Sequence, residues 1–345
     1  MRKAIKYSVR ILIAILVLAL IWAAWNRKLI SYGWMQFKGQ ASIIYQAVPI
    51  EDVLMDPSLN DSIKNKLELI ASIRRFAIDS LGLKDSKNYT TYYDQKGKPV
   101  LWVLTASDTY KLKAYQWNFP VVGEVSYKGF FIEQKGLLED SLLRMEGYDT
   151  DYGPVSAWST LGWFRDPILS GMLKRSEGQL AELIIHEMTH STLYVKSDVN
   201  FNENLASAVG EAGAVHFLNF YFGKESKELN GYLQRKEDSD LFTIHMLNAA
   251  KILDTLYTRI EGLEADLKYQ FKYDRIQEIV NAIDTIQFHV PGRYQSMFKK
   301  QLPNNAYFLS FVRYDAQKSE MRNELKNVYH DNIAKYLAAI KQRYE

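Results

Sequence analysis

No proline occurs between Pro167 and Pro291, and the residues between them are almost all good helix formers. Proline removes a backbone donor and clashes with the preceding helical turn, so a proline-free stretch of this length lets long helices run unbroken. The second half of the chain is therefore expected to be helical. Within it Phe242, Met246, Ala249, Leu253, Leu256, Ile260, Leu263 and Leu267 step by fours and threes, the spacing of one apolar helix face. Gly262 interrupts that stripe and "QFKYDRIQEIVNAID" follows as a return partner, so a long helical hairpin within the chain is expected ahead of a dimer seam.

The first half reads differently. Residues 26–48 suggest a helix that Pro49 ends, and Ile63, Leu67, Ile70, Ile73 and Ile78 recur at helical intervals up to a stop at Gly82. "YTTYYDQKGKPVLWVLTAS" then reads as two strands around a Lys-Gly turn, and "FPVVGEVSYKGFFI" alternates like a further strand. A helix is expected near 134–146, and "VSAWSTLGWF" is β-like in composition. The expected fold class is α+β and mostly helical: a small β-sheet in an N-terminal half, residues 29–172, and the long helical hairpin in a C-terminal half, residues 173–345.

Ahead of that domain, "MRKAIKYSVRILIAILVLALIWAAWNRK" sets Arg2, Lys3, Lys6 and Arg10 before fifteen apolar residues, Ile11 to Trp25. As a helix rising about 1.5 Å per residue this run spans roughly 22 Å, against about 30 Å of bilayer hydrocarbon. A snorkelling Arg10 and the pair Trp22 and Trp25 extend its reach. A buried helix of a soluble protein and a cleaved signal peptide are the alternatives, but "WAAW" is a poor cleavage site and no lipid-acceptor cysteine follows. Residues 1–28 are thus expected to form one transmembrane helix in a bacterial inner membrane, its basic end cytoplasmic, with residues 29–345 periplasmic or extracellular. The formal charge of +3 is small for 345 residues and is spread along the chain, so no nucleic-acid partner is expected.

Cysteine is absent, so any transition metal must be held by histidine and carboxylate. "LIIHEMTHSTLYVKSDVNFNENLASAVGEAG" meets that requirement. His186 and His190 are four residues apart, and on a helix both imidazoles leave one face. Glu187 stands beside them, where a carboxylate can take a proton from water without ligating, as in HExxH metallopeptidases. Two satisfied core histidines beside a surface glutamate are the structural alternative. A metzincin would need glycine and histidine three and six residues after His190, and Leu193 and Lys196 stand there. A carboxylate is needed instead. Glu203 is favoured, returned to the histidines by a tight turn through "KSDVN" with Asn200 and Asn202 as capping candidates; Glu211, two turns further on, is the other candidate. Two histidines, one glutamate and an open fourth position are a catalytic Zn²⁺ arrangement. Asp198 and Glu182 are candidates for orienting a ligand histidine, whereas His216, His245, His289 and His330 lack ligand-like spacing.

Five stretches occur in order: "GQASIIYQAVPIEDVL", "FPVVGEVSYKGFF", "VSAWSTLGWFRDPILS", "ELIIHEMTHSTLYVKSDVNFNENLAS" and "LPNNAYFLSFVRYDA". Together they resemble a family of bacterial proteins known as predicted aminopeptidases, gluzincin-like and usually membrane-associated. The resemblance implies a zincin-like peptidase domain over most of the chain beyond the anchor, with His186, His190 and Glu203 as metal ligands and Glu187 as general base and acid. Asn202-Glu203 followed by Ala206 also looks like the third-ligand segment of thermolysin and the larger gluzincin aminopeptidases, although only twelve residues separate His190 from Glu203, fewer than in those proteins. The family pattern has a tyrosine where Trp158 stands, so no phenolic role passes to that position.

The expected function is zinc-dependent hydrolysis of peptides. Tyr314 is a candidate catalytic donor to the oxyanion, Asn304 and Asn305 are candidate substrate-binding residues, and "STLGWF" is an edge that an extended peptide could pair with. Glu124 is a conceivable partner for a free α-amino group. Removal of N-terminal residues, as opposed to internal cleavage, rests on the resemblance alone. The alternatives are a membrane-tethered interaction module with a structural or inactive metal site, and a metal hydrolase or endopeptidase with another substrate.

Overall fold

A computed structural model describes residues 24–120, 123–155, 165–196, 198–315 and 318–344, with Tyr7, Ile13, Val17, Leu18 and Trp22 from the N-terminal segment and without the side chains of 313–315. Most of the expected anchor, Trp158 and the "STLGWF" strand lie outside the described residues. Among the described residues no helix is long and apolar enough to cross a membrane.

The chain is mostly helical with small sheets. In order it forms α1 (Arg27–Gln46), β1 (Val48–Pro49), α2 (Ile50–Leu54), α3 (Asp61–Asp79), β2 (Thr91–Tyr93), β3 (Trp102–Asp108), β4 (Trp117–Phe119), β5 (Gly123–Val125) and β6 (Lys128–Phe130). Then follow α4 (Glu133–Met145), β7 (Tyr148–Pro154), β8 (Ile168–Leu169), a 3-10 turn (Ser170–Lys174), α5 (Glu177–Thr192), α6 (Val199–Phe222), α7 (Lys227–Arg259) and α8 (Ala265–Ala282). A second 3-10 turn (Ile283–Thr285), α9 (Asn305–Asp315), α10 (Lys318–Asn327) and α11 (Ile333–Tyr344) complete it. The helix expected around Ile63–Ile78 is α3. Asn60 caps it by accepting the Ser62 N–H, and Gly82, at φ 71°, turns the chain so that the Leu83 N–H reaches the Ala77 carbonyl at 3.0 Å.

One sheet was expected and three are present among the described residues, with strand orders β1-β2-β8, β6-β3-β7 and β4-β5. The Lys96-Gly97 turn forms, both residues having positive φ, but the strands either side of it do not pair with each other. The Gln95 N–H goes to Ser170 Oγ (2.9 Å) and its side-chain oxygen accepts the Gly171 N–H (2.7 Å), which ties the end of β2 to the segment after β8. β2 accordingly runs parallel to β8, and β3 lies antiparallel between β6 and β7. The stretch from Phe119 is not one strand: it contributes the end of β4, then β5 and β6, with Gly123 at φ 79° facing Phe119 across the β4-β5 pair.

The helical hairpin is α7 and α8. Phe242, Met246, Leu253 and Ile260 pack on Ile276, Ile279, Ile283 and, from α9, Phe308. Leu263 and Leu267 fall beyond the end of α7 and are exposed, so the apolar stripe ends at Ile260. A larger core joins α3, α5 and α6 through Leu67, Ile70, Ile184, Ile185, Leu205 and Val209, and the metal-ligand candidates lie beside it.

Candidate metal centre

α5 begins with a capping box in which Ser176 and Gln179 satisfy each other's end of the first turn. Leu180, Ala181, Ile184, Ile185 and Met188 bury one side of the helix, and this fixes its rotation. His186 and His190 then leave it together, one turn apart, with side chains 19% and 3% exposed. Thr192 ends the helix.

The return is as tight as twelve residues require. Asp198 caps α6 by accepting the Phe201 N–H at 3.0 Å, so this carboxylate serves the helix end and not a histidine. Asn202, 2% exposed, clamps the turn: its oxygen accepts the Val195 N–H (2.8 Å), and its amide donates to the carbonyls of Val195 and Asp198 (2.7 Å each). Asn200 contributes only its carbonyl, to the Asn204 amide. Close packing completes the approach. A Cβ on Gly210 would sit 2.9 Å from the Glu182 carbonyl oxygen and 3.1 Å from His186 Cβ, so only glycine lets the two helices come this near. Glu203, two turns earlier on the same face, reaches the histidines as a result.

The donors of the three residues converge, one ligand atom from each lying within 4.8 Å of the others. Nε2 of His186 and of His190 are 3.2 Å apart, Glu203 Oε2 is 3.5 Å from the first and Glu203 Oε1 3.4 Å from the second. A tetrahedral ion with bonds of about 2.0–2.1 Å has ligand-to-ligand edges of about 3.3 Å, so the spacing and the donor types both fit Zn²⁺. This His-His-Glu group could hold a metal ion. Its electrostatics agree. Burial, with His186 adding to it, pushes the His190 imidazole down to about 4, which keeps it in the neutral, ligating form. Burial acts on His186 too, but the Glu203 hydrogen bond and the charges of Glu187, Glu203 and Glu182 outweigh it and raise its pKa. Burial alone would raise Glu203, yet the two histidines hold it below the usual carboxylate range.

Glu187 lies in the same cavity, of about 220 Å³, whose walls include Tyr127 from the β5-β6 loop and Tyr194 just past α5. Burial and the charge of Glu203 raise the Tyr194 phenol. Behind Glu187, the buried Tyr89 ring sits within reach of its charge, which, after burial itself, holds that phenol far above its ordinary value. Sequence spacing could not find Tyr89 and Tyr127, because they come from other elements, whereas Tyr194 stands four residues after His190.

Several candidates go elsewhere. Glu211 is buried in an ion cluster, paired with Arg322 and with Lys236 at 2.9 Å, and is no part of the His-His-Glu group. Glu182 accepts from the Tyr232 hydroxyl at 3.0 Å, and burial followed by the charge of Glu211 raises its pKa. Asn305, fully buried, accepts from Tyr257 and donates to the carbonyls of Asp108 and Thr109, while Asn304 donates to the Thr150 carbonyl. Both tie the start of α9 to strands β3 and β7 and neither lines the metal cavity. Tyr314 lies in the last turn of α9, and its side chain is outside the described residues. Glu124 is exposed on β5, opposite Asn118.

No curated protein and no solved structure matches the chain. A family model described as "Putative aminopeptidase" matches residues 31–343. That span takes in every described helix but the first few residues of α1 and the end of α11, and it contains the whole His-His-Glu group. The chain belongs to this aminopeptidase family.

Proposed function

We propose that the protein is a zinc-dependent peptidase that removes N-terminal residues from peptides, with His186, His190 and Glu203 holding the ion. The observation that carries this reading is the His-His-Glu group, its imidazole nitrogens 3.2 Å apart and each within 3.5 Å of a Glu203 oxygen, with Glu187 in the same cavity. Bound zinc supplies Lewis acidity, which acidifies water and polarises a carbonyl at neutral pH. Glu187 takes the proton from the attacking water and delivers it to the leaving amine as the peptide bond breaks. The phenol of Tyr194, kept protonated by its surroundings in the cavity wall, donates to the oxygen that gains charge. The family membership supports action at a free N-terminus. The basic-flanked apolar run of residues 1–28 supports a single-pass anchor in a bacterial inner membrane, with the catalytic body on the periplasmic or extracellular side.

The test is metal content and hydrolysis measured together on three proteins. Glu187→Gln should keep stoichiometric zinc and lose about 10²–10⁴-fold in kcat. Glu203→Ala should lose the metal as well. Peptides with a blocked N-terminus should be spared by the wild type. Full activity of Glu187→Gln, or wild-type protein that takes up no zinc, would refute the reading.

A further inference from the structure

The outward face of α1 and α4 has no part in the metal centre. On α1, Ile30, Trp34 and Phe37 recur at i, i+4 and i+7 and are exposed, the Trp34 and Phe37 rings 5.7 Å apart. The other side of that helix buries Met35 and donates to the Gly129 carbonyl from Tyr32 (3.0 Å) and Gln36 (2.6 Å). α4 repeats the pattern. Gly136, Asp140 and Leu143 are buried, whereas Leu138, Leu142 and Met145, again at i, i+4 and i+7, are 63%, 49% and 83% exposed. The helices are neighbours: Lys135 donates to Ser31 at 3.1 Å, and a groove of about 560 Å³ runs between them over Met35 and Phe130. Two adjoining apolar stripes of this regularity mark an interaction surface.

Charge and chain direction identify what covers it. α1 contains Arg27, Lys28 and Lys38 and no acidic residue, and Lys135 adds a further cation at the groove, where Lys128 and Glu139 neutralise each other at 2.6 Å. The apolar run 11–25 precedes α1 and is set off from it at Asn26, whose φ of −96° and ψ of 23° depart from the helix, and its described residues Ile13, Val17, Leu18, Trp22, Ala24 and Trp25 are all exposed. Amphipathic helices with basic flanks and Trp, Phe or Leu on the apolar side seat themselves in the headgroup region of anionic membranes.

We propose that α1 and α4 lie on the surface of an anionic phospholipid bilayer, with Trp34, Leu138, Leu142 and Met145 at the acyl boundary and Lys28 and Lys135 among the headgroups. This rests on the reading of residues 1–28 as an anchor and adds to it a fixed orientation of the body. β6 links the two sites, since Tyr127 lines the metal cavity and Phe130 the groove, about 10 Å apart along an extended strand. Peptides held at the membrane surface are then the substrates best placed to enter.

The chain has no cysteine, so single cysteines can each carry one environment-sensitive fluorophore. Full-length Val17→Cys, Leu138→Cys and Thr255→Cys proteins are labelled and reconstituted into nanodiscs of phosphatidylcholine, with or without phosphatidylglycerol, containing brominated acyl chains. The label at 17 should be quenched in both. The label at 138 should shift to the blue and be quenched at least about twofold with phosphatidylglycerol, and Lys28→Glu with Lys135→Glu should reverse this. The label at 255, on the hairpin, should not respond. Quenching at 17 with a silent 138 would overturn the docked orientation and leave the anchor standing. No quenching at 17 would remove the anchor and the proposal with it. A blue shift at 138 that grows with protein concentration but is not quenched would place a second copy on this face, which also overturns the proposal.

Discussion

Gly210 meets His186 across the α5-α6 pair with no room for a side chain, a Cβ there falling 3.1 Å from His186 Cβ and 2.9 Å from the Glu182 carbonyl oxygen. The backbone oxygen cannot step aside, so Gly210→Ala must part the helices. Overpacking of this kind costs about 1–3 kcal/mol of stability. It also shifts Glu203, which lies two turns away on the same face, off the two imidazoles. The variant should therefore melt at lower temperature and bind zinc more weakly, read by chelator competition. Unchanged zinc affinity would mean that the helix spacing does not set the site.

Asn202 holds the twelve-residue return closed through three hydrogen bonds of 2.7–2.8 Å. Asn202→Ala leaves the part-buried Val195 N–H without its acceptor and removes a side-chain donor from two carbonyls that keep backbone partners, at a total cost of about 1–3 kcal/mol. Glu203 is its chain neighbour. Zinc affinity should fall with stability, and isothermal titration beside a thermal melt will show whether the two losses track each other. A variant that loses stability but keeps full affinity would show that α6 is positioned by packing alone.

The helices were legible in the sequence because the period of apolar residues reports which face is buried, and α3, α4, α5 and the α7-α8 hairpin fall where it places them. His186, His190 and Glu203 were legible for a related reason, since a helix and one turn connect them. The sheets were not. β2 and β3 flank a well-formed turn, yet β2 pairs with β1 and β8 and β3 with β6 and β7, partners up to 76 residues away (Ile168 − Tyr92), and local pattern carries no information about that choice. The structural bonds of the asparagines at 304 and 305 were hidden for the same reason. Polar side chains beside a helix start look available, but here they satisfy buried carbonyls of a strand distant in sequence.

The cluster around Glu211 separates the two candidate third ligands. Glu211 is paired with Arg322, Lys236 and, at 3.7 Å, Lys318, with 10% of its side chain exposed. Glu211→Gln leaves those cations short of a counter-charge and should cost about 3–5 kcal/mol while zinc stoichiometry stays at one. Asp240 borders the same cluster. Burial pushes its carboxyl up, but Lys236 at 2.5 Å and Arg322 outweigh this and hold its pKa below the usual value. A depressed folded pKa contributes stability that is complete above the unfolded value of about 4 and is lost as pH falls through the folded one. Its side chain is about one-third exposed, so Asp240→Asn should cost no more than about 1 kcal/mol at pH 7. That difference should close in melts taken in strong acid. A constant difference across the whole pH range would show that the pairing is not the source.

Tyr194 lines the metal cavity, its phenol raised by burial and by the charge of Glu203, so it remains an O–H donor throughout the neutral range. A donor aimed at developing charge strengthens in the transition state, whereas one that merely holds substrate acts on both states alike. Tyr194→Phe should accordingly lower kcat by about 10²-fold with KM and zinc content little changed. Tyr127 lines the same cavity from the opposite element, and Tyr127→Phe provides the comparison. If Tyr194→Phe raises KM at constant kcat, the residue binds substrate uniformly; if only Tyr127→Phe lowers kcat, the donor comes from the β5-β6 loop. Steady-state kinetics on one short peptide, with the metal content of each preparation measured alongside, distinguish these outcomes.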